Sequence, residues 1–78
     1  MFKDIKEYVL DNEFRVNLYK DKVNVVNYID IITIEKTRIS LTFKDGVLVI
    51  KGYNLLLKKM LDNEVLICGS IKSLELGE

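Results

Sequence analysis

The sequence predicts an all-β fold: a small antiparallel meander curled into a sandwich or roll, behind a short N-terminal helix. Three observations carry this. Two alternating runs, Arg38 to Lys44 and Val47 to Gly52, flank Asp45-Gly46, and an Asp-Gly pair between such runs is a strong hairpin signal. Several further segments alternate apolar and polar residues at the period of a half-buried strand. The turns between them are short and polar, and the chain has no proline and no linker-like tract. Closely spaced strands of this kind suit a sheet that curls on itself. β-Solenoid-like stacking is the alternative, because it uses the same alternation and end-of-strand glycines.

Taken in order, residues 1–12 hold a short amphipathic helix with Phe2, Ile5 and Val9 on one face. Alone it is marginal, since isolated helices need roughly 12–15 residues. Residues 13–78 form the single β domain. Phe14, Val16 and Leu18 point inward from the first strand, and Lys20-Asp21-Lys22 turns the chain. Val23 to Val26 and Ile29 to Ile34 are the next two strands, parted at Asn27-Tyr28. Glu35-Lys36-Thr37 then leads into the Asp45-Gly46 hairpin. With Asp45 and Gly46 as its loop, Phe43 faces Leu48, Leu41 faces Ile50 and Ile39 faces Gly52. One face, Ile39, Leu41, Phe43, Leu48 and Ile50, is core; Val47, Val49 and Lys51 point the other way. Leu55 to Leu61 follows, then the turn Asp62-Asn63, then Val65 to Cys68 and Ser70 to Leu76. Leu48-Val49-Ile50-Lys51-Gly52 recurs as Val65-Leu66-Ile67-Cys68-Gly69. A glycine straight after an apolar strand supplies a bulge or bend.

Composition narrows the function. The chain has 78 residues, of which 49% are apolar. That is one small domain, hiding about 60% of its unfolded surface. Twelve basic and twelve acidic residues cancel, so no long-range field gathers nucleic acid. A single cysteine, Cys68, cannot close an internal disulfide, which suits a reducing compartment. No secretory signal is visible, and no stretch approaches the about 20 apolar residues that cross a bilayer. The expectation is a cytoplasmic protein that does not insert into membranes.

Little in the chain points to chemistry. There is no histidine, which removes the usual base near neutral pH and the Ser-His and Cys-His pairings. Cys68 reads as a small apolar strand residue, and one thiol makes no soft-metal site. Asp11/Glu13, Asp30/Glu35 and Asp62/Glu64 sit at turns, where Asp satisfies local backbone donors. No catalytic residue, metal or cofactor is expected. Candidate interface residues are the outward Val47, Val49, Leu66 and Cys68, the aromatic Tyr19 and Tyr53, and the basic pair Lys58-Lys59. Outward apolar residues on an edge-rich sheet commonly meet a partner, and Tyr gives large contact area at low entropic cost. The expected role is therefore a non-catalytic interaction module that associates with itself or a partner. The alternative is a small-ligand- or carbohydrate-binding β-roll, for which Tyr19, Tyr28 and Tyr53 must converge on one pocket.

The stretches Val23-Asn24-Val25-Val26-Asn27-Tyr28, Ile31-Ile32-Thr33-Ile34, Arg38-Ile39-Ser40-Leu41 and Gly46 to Leu55 resemble the YabP/YqfC sporulation protein family. So do Leu57-Lys58-Lys59-Met60-Leu61 and Glu64 to Ile71. The leader followed by Phe14-Arg15-Val16-Asn17-Leu18 is closer to the YqfC-like branch. The chain departs from the family's habit at two turns, with Lys20 and Asp62-Asn63 where glycine or proline is common. The resemblance implies a protein made in the mother cell during endospore formation. It implies work through other sporulation proteins, one of them membrane-bound, at the forespore surface. It implies no enzymatic activity.

Overall fold

The computed structural model describes residues 13–77; the helix expected over residues 1–12 lies outside them. Six strands follow in order: β1 (Arg15–Leu18), β2 (Lys22–Val26), β3 (Asp30–Ile34), β4 (Arg38–Phe43), β5 (Gly46–Met60) and β6 (Glu64–Gly77). They form one open antiparallel sheet in the order β1-β2-β6-β5-β4-β3. The domain is all-β, as its alternation predicts, but it is not a simple meander. Strands β3 to β6 follow one another across the sheet, and β6 then lies against β2. Every pairing is antiparallel, which is not the arrangement of a stacked-coil solenoid.

Two segments expected as separate strands, before and after Gly52, are one continuous β5 of 15 residues. It pairs along its length with β6, through three register shifts, at Lys51/Gly52, Tyr53/Leu56 and Leu57/Lys59. The hairpin is therefore long, and the short strands use different halves of it. β4 pairs only with β5 residues 46–51, and β2 pairs only with β6 residues 64–68.

Chain reach forces this hairpin to double over. Val26 lies opposite Glu64, at the closed end of the hairpin. Asp30, four residues later, lies opposite Thr42, which faces Val47, which faces Gly77 at the open end. On a straight β6 those ends would be about 43 Å apart, at about 3.3 Å per residue. Four residues reach about 14 Å at most. The link confirms the closure by its contacts. The Tyr28 hydroxyl donates to the Leu61 carbonyl (3.2 Å), while the Ile29 amide donates to Thr42 (2.8 Å). Phe14, just before β1, stacks on Phe43 at the end of β4, with centroids 4.0 Å apart and planes 10° from parallel.

The bend falls where the sequence repeats its glycines. A Cβ on Gly52 would lie 2.0 Å from the Ser70 carbonyl oxygen, so only glycine lets β5 and β6 approach this closely. Gly69 has φ +136°, and Asn54 opposite it has φ 54°, a left-handed conformation that Asn tolerates. Each glycine amide also anchors a hairpin turn. Gly52 donates to Thr37 in the β3–β4 turn (3.1 Å), and Gly69 donates to Asp21 in the β1–β2 turn (3.0 Å).

Folding over brings one face of each half together. The core gathers Val23, Val25, Val65 and Ile67 from one half and Ile39, Leu41, Leu48 and Ile50 from the other, with Leu55 at the bend. Each fully buried Val, Leu or Ile contributes about 1.5–3 kcal/mol of transfer free energy. Phe14, Val16 and Phe43 pack against this cluster; Leu18, expected inward, is 58% exposed at the short edge strand β1.

The β4–β5 hairpin departs from its expected register. The loop is Lys44-Asp45, not Asp45-Gly46, so Phe43 faces Gly46, Leu41 faces Leu48 and Ile39 faces Ile50. Positive φ among the described residues is confined to Asn27, Asn54 and Gly69, so no type I′ turn forms. The slip is even on the two strands together, so each residue keeps its face and the expected core survives.

Candidate functional site

The doubled sheet has two outward faces, and the expected interface residues divide between them. Val47 and Val49 lie on β5 among Thr42, Ser40 and Glu75, and both are half-buried. Leu66 and Cys68 lie on β6, on the other half, opposite Asn24 and Lys22 of β2. These four residues do not form one patch. Leu66 and Cys68 instead join Lys58 around a shallow depression of about 480 Å³ with Asp21, Lys22 and Gly69. A neighbouring one of about 230 Å³ is bounded by Lys59, Leu66, Asn24, Leu61 and Glu64. On this face a polar ladder crosses three strands: Asn17 donates to Asn24 (3.3 Å) and Asn24 donates to Glu64 (2.8 Å).

The tyrosines do not converge. Tyr19 caps the β1–β2 turn with the Lys22 ammonium 5.3 Å from its ring centroid. Tyr53 stands at the bend with the Lys72 ammonium 5.8 Å from its ring. Tyr28 is held at the closed end of the hairpin by Leu61. The depression at the bend takes in Tyr53 alone and the two on the other half take in none of the three, so these depressions do not supply the aromatic pocket that the carbohydrate reading requires.

The doubling leaves long one-sided strand segments. Beyond Lys51 the β4 ladder ends, but the β3–β4 turn still accepts from Gly52 (Thr37, 3.1 Å) and Leu55 (Lys36, 2.8 Å). Among the described residues β5 therefore pairs with β6 alone only from Leu56 onward. On β6 the β2 ladder ends at Cys68, and beyond the Gly69 amide, which donates to Asp21 (3.0 Å), β6 pairs with β5 alone. Together with β1 and β3, these are the sheet's edges among the described residues. Apolar side chains cluster along the β5 edge: Tyr53, Leu56 and Met60 are 55%, 61% and 54% exposed. Met60 lies opposite the buried Val65, so it sits on the core side of the edge yet stays open. Sequence patterning did not single out Leu56 or Met60, because alternation places them inside a strand without saying which strands flank it. No group of three or more potential metal ligands occurs among the described residues. None of their helices is long and apolar enough to cross a membrane.

This is the architecture of a small edge-presenting β domain, with its core closed and its backbone pairing capacity left open along one long hairpin. Comparison with known families gives the same molecule a lineage: the chain belongs to the YabP family, whose model matches residues 11–78. Membership suggests a sporulation-related protein. No curated protein and no solved structure matches the chain.

Proposed function

We propose that this YabP-family chain is a non-catalytic interaction module of endospore formation, closest to the YqfC-like branch. It works in the mother cell by pairing its open β5 edge, first with a second copy of itself and then within an assembly at the forespore surface that includes a membrane-bound partner. The single observation that carries this reading is the one-sided segment of β5 from Leu56 to Met60, beyond the last amide that the β3–β4 turn engages, Leu55. Unpaired backbone donors and acceptors along an edge template another strand. Natural sheets blunt such edges with charge or proline; here Lys58 and Lys59 guard only the far end, while Tyr53, Leu56 and Met60 remain apolar and exposed. The absence of histidine from the sequence leaves no ordinary general base, which favours binding over catalysis.

The test is size-exclusion chromatography with light scattering at micromolar concentration, on the wild-type chain and on Met60→Lys. An ammonium on the core side of an edge strand opposes edge-to-edge pairing. A dimer or larger species that Met60→Lys converts to monomer supports the reading. A wild-type monomer across the range, or an oligomer indifferent to Met60→Lys, counts against the β5 edge as the surface of self-association.

A further inference from the structure

A second feature of the bend, away from the β5 core-side edge, collects positive charge. Arg38 and Lys51 lie directly opposite each other on β4 and β5, and like charges in that position destabilise a sheet. One residue on, Lys51 faces Ser73 while Gly52 faces Ile71. Lys72 is therefore the extra residue of a β-bulge, and bulges re-aim side chains. Its ammonium stands 5.8 Å from the Tyr53 ring centroid. The three cations border one depression of about 310 Å³, completed by Thr37, Gly52 and Tyr53. Glu75 pairs with Lys51 at 3.4 Å. Neither Arg38 nor Lys72 has a carboxylate partner among the described residues. In a chain whose formal charges cancel, this is a local surplus of positive charge placed by register and bulge.

We propose that this depression docks an acidic peptide segment of a partner protein, whose carboxylates meet Arg38, Lys51 and Lys72. Charge complementarity selects an anion, and Arg38 presents the planar fork that suits a carboxylate. The neighbouring edge selects a peptide: among the described residues β6 from Ile71 to Gly77 pairs on one side only, so an extended backbone can lie beside Lys72 and extend its carboxylates toward Lys51 and Arg38 on the next strands inward. The proposal rests on the interaction-module reading and names the chemistry of its partner.

The test titrates the full chain, labelled with nitrogen-15, with octaglutamate, octaglutamine and inorganic phosphate. Octaglutamate is expected to shift the amides of Arg38, Lys51, Gly52, Tyr53 and Lys72, and to weaken with rising salt. Octaglutamine is expected to leave them in place. The double variant R38E/K72E should lose at least tenfold in octaglutamate affinity, while K58E/K59E, on the other half of the sheet, should stay within twofold of wild type. Both alter exposed side chains, and unchanged far-ultraviolet circular dichroism verifies their fold. Equal loss in K58E/K59E, or none in R38E/K72E, overturns the site. Phosphate binding at these amides as tightly as octaglutamate overturns the peptide assignment. If octaglutamate fails to bind while Met60→Lys still controls self-association, this site falls and the module reading stands.

Discussion

Gly52→Ala tests the doubling of the sheet at its tightest point. The added Cβ would lie 2.0 Å from the Ser70 carbonyl oxygen, 3.0 Å from its carbonyl carbon and 3.2 Å from Ile71 Cα. All three are backbone atoms of β6, which no rotamer change moves. Reaching ordinary contact at 3.4 Å requires the strands to part by about 1.4 Å at the bend. Overpacking against movable side chains costs about 1–3 kcal/mol; against backbone we expect the upper end, about 3 kcal/mol. A chain of this size has about 4–12 kcal/mol to lose. With a urea m-value near 1–1.5 kcal/mol/M for a small domain, the midpoint should fall by about 2–3 M. Gly77→Ala is the control, since nothing lies within 4 Å of its added Cβ, and its midpoint should match wild type. The assay is urea unfolding followed by circular dichroism. A Gly52→Ala midpoint within about 0.5 M of wild type would refute the close β5–β6 crossing and the bend argued from it.

Other consequences follow from single contacts. Gly69→Ala meets the Asn54 carbonyl oxygen at 2.7 Å and needs a φ of +136°, so it should destabilise by about 1–3 kcal/mol through strain, read from the same urea curve. Phe14 and Phe43 should show a coupling of about 0.5–1.5 kcal/mol in a double-mutant cycle to Leu, because their rings stack at 4.0 Å; additive single effects would deny the contact. Ser40 is 3% exposed and its hydroxyl has no hydrogen-bond partner among the described residues. Ser40→Ala should therefore raise stability, by about 1 kcal/mol, and a thermal melt that drops instead would reveal a partner for that hydroxyl.

Much of the core was legible because side-chain period survives errors of register. Ile39, Leu41, Leu48 and Ile50 are buried although the hairpin loop sits one residue earlier than the Asp-Gly rule places it. The repeated glycines marked the bend, since Gly52 and Gly69 each end an apolar run and each meets the other strand's backbone. Strand partners were not legible. That β6 inserts between β2 and β5 depends on chain reach between Val26 and Asp30, not on any local pattern. The same non-local fact split the expected interface. Val47 and Val49 share a phase with Leu66 and Cys68, yet they face away from the core on different halves. Arg38, Lys51 and Lys72 escaped notice for a related reason. They lie 13 and 21 residues apart in sequence, and only the cross-strand register and one bulge bring them to a common depression.

Amide hydrogen exchange read residue by residue at two protein concentrations addresses the central claim, that the far half of β5 is an open edge built to accept a strand. At tens of micromolar, the amides between Leu56 and Met60 that point away from β6 should be protected, and dilution to the nanomolar range should release them while Ile50, Ile67 and Leu55, whose amide donates to Lys36, stay protected. Protection of those outward amides that does not change with concentration, or that never appears, would contradict an edge that pairs between copies.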